Sequence, residues 1–484
     1  MTRTSIPTTG DKHAALLKQM AGLREGDADW HGGKTWSLVY DGGDEHHAFL
    51  KKASQLFFAE NALNPMAFQS LRKMELDVIH MSANMLNGDD QTVGTMTSGG
   101  TESLLLAICT YRDRARRKKP WIVRPNVVLP RTAHPAFEKA AHYFGVSLRF
   151  AKCDEHGNVD VKHYKRLINR NTVACIGSAP QYVTGSVDPI PELSGMALKK
   201  GIPFHVDACF GGYILPWLER LEVAMPEWDF RSPGVTSISA DIHKYGYAPK
   251  GSSVLVYRDM SYLKHQFFIS TNWPGGIYAS PSLQGTRPGS SIAAAWASMR
   301  AMGESGYIER AKEALAAQRR MKAGIEAIEG IRVLGPSTLT VVTWAADAKN
   351  VDVYAVADIL AAKGWEVSRQ QHPASVHCTV NARNSPVVDE YVADLAAAVA
   401  HVRAHPELAT EGEAAMYGMM AKIPVRGLVT NGVRKVMEQM YGASGEMPDL
   451  AESDDPMNDM VQKHVLPILD KARDLRERLT GGRA

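Results

Sequence analysis

The middle of the sequence alternates between short apolar runs and stretches with helical spacing, and this alternation constrains the fold more than any other feature. The apolar runs cover residues 126–129, 147–151, 172–178, 203–207, 235–239 and 253–257. The helical stretches between them include residues 135–143, 161–169 and 191–200. Such alternation predicts a mostly parallel sheet with helices on both faces, which is an α/β fold.

A lysine lies in the turn between the last two apolar runs. Lys244 directly follows His243, and Gly246, Pro249 and Gly251 prevent a helix from continuing there. A lysine held between two strands is well placed to form a Schiff base, and the usual partner is the aldehyde of pyridoxal phosphate. The pair of residues alone leaves open a surface lysine at a strand end.

Two further residues follow apolar runs, at the edge where ligands of parallel sheets bind. Asp207 ends the run 203–207 and could pair with a pyridine nitrogen, although it could also cap the next loop. His134 follows the run 126–129 and precedes a helical stretch. It could stack on a cofactor ring or cap that helix. These positions support the cofactor hypothesis without proving it.

A glycine- and hydroxyl-rich segment precedes the helix predicted for residues 102–117. Gly100 and Thr101 come just before it, and free amides at a helix start bind phosphate well. An ordinary helix cap is the alternative. The basic run 112–119 lies at the other end, where cations complement the helix dipole. We interpret that run as a solvated helix end.

Composition narrows the function classes. The net charge is +3, from 55 basic and 52 acidic residues, so we expect no nucleic-acid partner. The five cysteines are scattered without the spacing of a metal site, as is typical of reduced cytoplasmic proteins. No apolar run approaches the ~20 residues of a transmembrane helix, and no signal peptide is evident. We therefore expect a soluble cytoplasmic protein, with secretion into a host cell left open.

The pattern also predicts the domain organisation. Residues 1–60 form an N-terminal extension, residues 61–304 a large cofactor-binding domain, and residues 305–484 a smaller C-terminal α/β domain. Helices are expected over residues 290–303 and 307–328, with the boundary near residues 303–306. The turn-rich residues 271–289 are expected to be irregular and functional.

Four motifs together resemble one enzyme family. They are Thr-Ser-Gly-Gly-Thr-Glu-Ser at 97–103, His-Val-Asp-Ala at 205–208, Lys-Tyr-Gly-Tyr-Ala-Pro-Lys-Gly at 244–251 and Gly-Gly-Ile-Tyr-Ala-Ser-Pro at 275–281. The chain is thereby similar to the sphingosine-1-phosphate lyases, within the fold-type-I pyridoxal-phosphate enzymes related to amino-acid decarboxylases. The resemblance implies retro-aldol cleavage of phosphorylated sphingoid bases to a long-chain aldehyde and phosphoethanolamine.

The resemblance also implies residue roles. Lys244 would form the Schiff base, Asp207 would pair with the pyridine nitrogen, and His134 would stack on the ring. The cofactor phosphate would be held by Gly100, Thr101 and His243, and by Thr286 from the other subunit of a homodimer with shared active sites.

Further residues match family positions around the substrate phosphate and the reacting centre: Tyr40 from the partner subunit, Asn61 and Lys250. Tyr40 and Lys250 are candidates for proton transfer or for binding the substrate phosphate, and the sequence does not divide these roles. The family pattern has histidine where this chain has Asn64, which hydrogen-bonds but carries no charge, so phosphate binding there should be weaker. Eukaryotic relatives carry an N-terminal membrane span that this chain lacks, which predicts a bacterial-type soluble form.

Two other functions remain open. An amino-acid decarboxylase would use the same cofactor on a carboxylate. A cofactor-free binding or regulatory protein could retain the same fold.

Overall fold

The computed structural model describes residues 5–410, 414, 418, 423 and 426–443. The strands are β1 Val93–Thr97, β2 Asn126–Pro130, β3 Ser147–Ala151, β4 Thr172–Ser178, β5 Phe204–Asp207, β6 Val235–Ala240, β7 Ser253–Tyr257, β8 Phe268–Trp273, β9 Gly276–Ser280, β10 Ile331–Leu334, β11 Val341–Ala346, β12 Ser368–Gln371 and β13 Ala374–Thr379. The α-helices are α1 His13–Gly22, α2 Asp44–Gln55, α3 Gln69–Met85, α4 Gly100–Lys118, α5 Ala136–Phe144, α6 Val161–Leu167, α7 Ile190–Leu198, α8 Leu215–Arg220, α9 Met260–Leu263, α10 Gly289–Glu326, α11 Val353–Ala362, α12 Val388–Ala404 and α13 Arg426–Met440. Short 3₁₀ helices cover Ala382–Val387 and Pro406–Thr410.

The larger sheet has the strand order β1-β7-β6-β5-β4-β2-β3. Its strands run parallel except β7, which is antiparallel to both β6 and β1. The chain between β6 and β7 contains no helix, so it folds directly back beside the strand it has just left. The predicted α/β class with a mostly parallel sheet is confirmed.

Both faces of this sheet are covered, which explains why its strands read as continuous apolar runs. In β2, Val127 and Leu129 pack into the cluster that contains Phe137 of α5. Val128, between them, packs into the opposite cluster with Phe204 of β5. Alternate side chains of one strand therefore reach two separate cores.

A second sheet, with the order β10-β11-β13-β12, forms the smaller C-terminal unit. The long helix α10 links the two units, and the backbone of Gly303 within it is non-helical (φ 55°, ψ 179°). The two helices predicted around residues 303–306 therefore meet at this kink. The domain boundary itself remains a prediction, because the C-terminal residues 444–484 lie outside the described part of the chain.

The expectation that residues 271–289 are irregular is wrong for their first half. Strands β8 and β9 pair as an antiparallel hairpin, with Ile269 opposite Ala279. The turn is formed by Pro274 and Gly275, with Gly276 at φ 111°. Turn residues between β-branched and aromatic runs predict a hairpin. This local pattern predicts the structure of the segment correctly, whereas its overall content of turn residues does not.

The N-terminal extension packs against the smaller unit of the same chain. Trp36 is fully buried, stacks on Trp365 with ring centres 5.6 Å apart, and lies edge-on to Tyr391 at 4.7 Å. The Thr379 amide donates to the Trp36 carbonyl at 2.6 Å. These contacts hold the segment that carries Tyr40.

Candidate active site

A cavity of about 430 Å³ opens where the parallel strands end. Six of the residues predicted from the sequence line this cavity: Gly100, Thr101, His134, Asp207, His243 and Lys244. They are up to 144 residues apart in sequence, from Gly100 to Lys244, yet the parallel sheet brings their strand ends to one edge. The sequence-based expectation of one site at this edge agrees with the geometry.

Lys244 lies in the turn after β6 and is paired with Asp241. The Lys244 Nζ is 3.1 Å from the Asp241 Oδ2, and the Asp241 side chain is only 3% exposed. Burial lowers the pKa of Lys244, but the charge of Asp241 outweighs burial and raises the net pKa above its ordinary value. Burial likewise opposes ionisation of Asp241, yet Lys244 and then His243 lower its pKa. The lysine is therefore an ammonium in the cofactor-free protein.

The start of α4 forms an anion cradle beside this pair. A Cβ added to Gly100 would lie 2.8 Å from the Cys209 Sγ and 2.9 Å from the Asp241 Oδ2, so only glycine fits there. The first amides of a helix have no partner within it and attract anions. Glu102 turns its carboxylate back to accept from the Ser98 amide and hydroxyl, both at 2.7 Å.

His243 faces the same cradle. Its Nε2 is 3.5 Å from the Asp241 Oδ2, and its buried Nδ1 has no hydrogen-bond partner among the described residues. The Asp241 Oδ1 is similarly without a partner there. Buried polar atoms are usually hydrogen-bonded, so these two atoms are available to a polar ligand.

Asp207 and His134 line other parts of the cavity. Asp207, the last residue of β5, is buried and its Oδ1 accepts from the Cys209 amide at 3.1 Å. The Nδ1 of His134 accepts from the Ala136 amide at 3.1 Å, so this histidine caps α5 and lines the cavity at once. The contact with the first residue of α5 agrees with the capping alternative, and the stacking role of His134 stays a prediction.

Lys250 and Tyr40 lie together near Lys244. The Lys250 Nζ donates to the His243 carbonyl at 3.2 Å and lies 5.2 Å from the centre of the Tyr40 ring. Burial, reinforced by the charge of Lys244, lowers the pKa of Lys250 to about 8. Burial raises the pKa of Tyr40 to about 12, although Lys244 and Thr379 oppose the shift. Lys250 is thus the more easily neutralised of the two.

The prediction that Tyr40 reaches the site from a partner subunit stays a prediction. Within its own chain, Tyr40 packs beside Lys250 and Tyr245. The reason is the anchoring of residues 33–36 on the smaller unit, which directs the extension back across its own large domain.

Five predicted residues are not among those that line this cavity: Tyr40, Lys250, Asn61, Asn64 and Thr286. The side chain of Asn61 accepts from the Leu63 amide at 3.1 Å, and that of Asn64 accepts from the Met66 amide at 3.0 Å. Both asparagines thus stabilise a local turn, and Asn64 is exposed. Thr286 is also exposed. Their assigned roles in substrate and phosphate binding stay predictions.

Sequence reasoning missed other lining residues, of which Asp241 matters most. Asp241 follows β6 directly, just as Asp207 ends β5, so the strand-end argument could have found it. Cys209 and Tyr182 also line the cavity. Tyr182 lies in the loop after β4 and stacks on His377 with ring centres 4.0 Å apart.

The residues present fit pyridoxal phosphate. The cradle at Gly100 and the unpartnered His243 Nδ1 suit a phosphate, Lys244 suits an aldehyde, and the buried Asp207 suits a ring nitrogen. The volume lies within the range of small-molecule sites. Within the described residues, no group of three or more His, Cys, Asp or Glu side chains could hold a metal. No helix in that part of the chain is long and apolar enough to cross a membrane.

Comparison with known proteins agrees with this site. Residues 58–345 match the pyridoxal-dependent decarboxylase conserved domain. The chain is 41% identical to a sphingosine-1-phosphate lyase of Arabidopsis thaliana over 88% of this chain and 79% of that protein. It is similar to the solved sphingosine-1-phosphate lyase of Burkholderia pseudomallei, with a TM-score of 0.83 and 36% identity over 91% of this chain and 98% of that chain.

A glutamate decarboxylase structure from Lactobacillus brevis shares the fold. Its TM-score is 0.74 at 19% identity, over 83% of this chain and 96% of that chain. The chain therefore belongs to the sphingosine-1-phosphate lyase family, within the pyridoxal-dependent decarboxylase family.

Proposed function

We propose that the protein is a pyridoxal-phosphate-dependent carbon–carbon lyase. It cleaves phosphorylated sphingoid bases, such as sphingosine 1-phosphate, to a long-chain aldehyde and phosphoethanolamine. Family membership supports this proposal. The single observation that carries it is the placement of Lys244 in one cavity with Asp207 and the glycine cradle at Gly100.

The cofactor would be held at three points. The Lys244 amine would hold its aldehyde group, the α4 amides and His243 would hold its phosphate, and Asp207 would pair with its pyridine nitrogen. When bound, pyridoxal phosphate accepts the electron pair released as the substrate bond breaks. Because Asp241 keeps Lys244 protonated, loading must displace a proton from the lysine.

Lys250 is the proposed base for the substrate C3 hydroxyl. Its neutral amine takes the hydroxyl proton, the oxygen's electron pair becomes the aldehyde carbonyl bond, and the C2–C3 bond breaks. The Lys250 ammonium then returns this proton to C2, and Lys244 displaces the amine product, which leaves as phosphoethanolamine. At pH 7, neutralising an amine of pKa about 8 costs about 1.4 kcal/mol, whereas ionising Tyr40 at about 12 costs about 7 kcal/mol.

Tyr40 therefore acts as a neutral hydrogen-bond donor. Its phenol stays protonated at physiological pH because its pKa is about 12. We assign it to orientation of the substrate near Lys250, along with substrate contacts from Asn61 and Asn64.

The direct test uses the cofactor-loaded protein and sphingosine 1-phosphate. The proposal expects equal amounts of long-chain aldehyde and phosphoethanolamine, and none from a Lys244→Ala variant. Intact substrate after prolonged incubation with loaded protein would refute it.

An amino-acid decarboxylase is the second candidate, because the matched domain is named for that activity. It would release carbon dioxide from amino acids and no aldehyde from the lipid. A cofactor-free binding protein would show no visible imine absorption after pyridoxal phosphate is added. Both outcomes are measured on the same preparation.

We propose further that the chain forms a homodimer with shared active sites. The hairpin β8–β9 exposes four large apolar side chains. Their exposed fractions are 61% for Phe268, 62% for Ile269, 58% for Trp273 and 78% for Ile277. Large exposed apolar patches mark interaction surfaces. Packing this hairpin on a partner would let the exposed Thr286 approach the partner's phosphate cradle.

Sedimentation velocity tests the dimer. Ile277→Asp should give monomers, whereas Leu198→Asp, at a position 52% exposed on α7, should leave the dimer intact. A dimer that survives Ile277→Asp would exclude this hairpin as the interface.

We also propose a cytoplasmic location, which the free state of all five cysteines supports. Recovery of the protein mainly from the medium or from a host cell after fractionation would contradict it.

A further inference from the structure

The loop after α4 presents two apolar side chains to solvent. Trp121 is 70% exposed and Val123 is 84% exposed, while Ile122 between them is buried at 6% in the core that contains α4. The Ile122 amide also donates to the Lys119 carbonyl at 3.0 Å. The buried isoleucine and this turn fix the loop, so the exposure of Trp121 and Val123 belongs to an ordered surface.

The same region concentrates positive charge. Residues 114–131 contain seven basic residues and no acidic one, in a chain whose net charge is only +3. The remainder of the chain therefore carries a net charge of −4, since 3 minus 7 is −4. Cations in the last turn of α4 are explained by the helix dipole, but Arg124 and the exposed Trp121 lie beyond that helix.

A second element adds to this charge. Lys264 is exposed just after α9, and the guanidinium of Arg114 lies 4.9 Å from the centre of the Tyr262 ring, which joins α9 to the end of α4. The next residue, His265, is 8% exposed, and neither of its ring nitrogens has a hydrogen-bond partner among the described residues. Burial and then the neighbouring cations, led by Arg117, lower its pKa.

We propose that this surface docks on membranes rich in anionic lipids. The docking patch is formed by Arg117, Lys118, Lys119, Trp121, Val123 and Arg124. Tryptophan favours the membrane interface, and each lysine or arginine near an anionic surface strengthens binding. An apolar anchor combined with a basic cluster is the pairing that peripheral membrane binding requires. Trp121 and Val123 enter the interface, and the cations contact lipid headgroups.

The docking patch lies far from the cavity along α4. It lies at the C-terminal end of α4, whose 19 residues separate it from the anion cradle by about 27 Å. The docking patch is therefore separate from the cavity, and none of its residues lines that cavity. Cleavage of detergent-dispersed substrate does not require the patch, so this inference stands independently of the proposed lyase activity.

The test is vesicle co-sedimentation of the full-length, cofactor-loaded protein at low salt. Vesicles of phosphatidylglycerol and phosphatidylcholine should bind the protein, and pure phosphatidylcholine vesicles should not. Lys118→Glu with Lys119→Glu should weaken binding by at least tenfold, because each reversal replaces an attraction with a repulsion. Trp121→Ala with Val123→Ser should also weaken binding several-fold through loss of the anchor.

A matched control changes the same charge elsewhere. Lys162 and Lys165 are both exposed on α6, so Lys162→Glu with Lys165→Glu should leave vesicle binding within twofold of the parent. Circular dichroism and activity on dispersed substrate should be unchanged in every variant, which separates docking from folding and catalysis.

Several results would overturn the proposal. They are no binding to anionic vesicles, equal binding to neutral ones, or equal loss in the control. Unchanged binding after Trp121→Ala with Val123→Ser would also overturn it. Displacement from vesicles by a random DNA duplex with tighter binding to that duplex would assign the patch to nucleic acid. A change in self-association in the patch variants would assign it to a second copy.

Discussion

Two ion pairs in this chain have equal lengths but unequal burial. Lys244–Asp241 and Lys73–Asp77 both have Nζ–Oδ2 distances of 3.1 Å. The side chains of the first pair are 28% and 3% exposed, and those of the second are 76% and 30% exposed. We predict that Asp241→Asn destabilises the cofactor-free protein much more than Asp77→Asn.

The expected magnitude follows from the geometry. At 3.1 Å and an effective dielectric near 20, the attraction between Lys244 and Asp241 is about 5 kcal/mol. Removing one partner of a buried pair costs about 3–5 kcal/mol. The loss cannot exceed the cost of neutralising the lysine, about 4.6 kcal/mol at pH 7 for an ordinary pKa near 10.4. The partial exposure of Lys244 reduces this further, so we expect about 2–4 kcal/mol.

The surface pair is the control. Exposed ion pairs contribute about 0–1 kcal/mol, and an asparagine at position 77 can still accept from the Trp296 indole, which is 3.1 Å from the Asp77 Oδ2. Free energies of unfolding from urea titration of the cofactor-free variants measure both losses. A loss in Asp241→Asn no larger than that in Asp77→Asn would refute the reasoning.

The contribution of this ion pair to the free energy of unfolding depends on pH. The folded pKa of Asp241 is lowered, so its contribution is present above its ordinary value of about 3.9 and is lost as the pH falls through the folded value. The folded pKa of Lys244 is raised, so its contribution is complete below about 10.4 and is lost as the pH rises through the folded value. Between about pH 5 and 9, both groups of the parent protein are charged. The difference in the free energy of unfolding between the parent and Asp241→Asn should therefore come mainly from the intact ion pair in this range.

Three further predictions concern catalysis and cofactor binding. Turnover should rise with pH through about 8, because Lys250 must be neutral to accept a proton. Lys250→Met should lower kcat by about 10²-fold or more and remove this rise from the pH profile of turnover. If the variant keeps the rise, the base is another residue. Gly100→Ala should weaken retention of pyridoxal phosphate at least tenfold on dialysis, because its Cβ would lie 2.8 Å from the Cys209 Sγ; normal visible absorption after dialysis would contradict this. Asp207→Asn should keep the cofactor bound but slow turnover, because an amide stabilises a protonated pyridine less well than a carboxylate does; unchanged turnover would remove Asp207 from the mechanism.

The sequence predicts the parallel strands well, because a strand that is buried on both faces of the sheet has a short apolar run as its sequence pattern. Residues 172–178, for example, include no charged residue and are all buried, so β4 is recognisable without its neighbours. The site follows from the same logic, since Lys244 and Asp207 each follow a buried strand. Only the sheet topology was needed to bring them together.

Other features depend on contacts that no local pattern encodes. The antiparallel direction of β7 depends on how the segment around Lys244 turns back. The location of Tyr40 depends on Trp36 packing against Trp365, more than 300 residues away in sequence. Asp241 is different: its position directly after β6 is visible in the sequence, but its pairing with Lys244 at 3.1 Å is visible only in the structure.

The most direct measurement is borohydride reduction of the pyridoxal-phosphate-loaded protein, followed by peptide mapping. Reduction should fix the cofactor on the peptide that contains Lys244, and a Lys244→Ala variant should carry no label. A label on Lys250 or any other lysine, or no label in the parent protein, would contradict the proposed chemistry of this site.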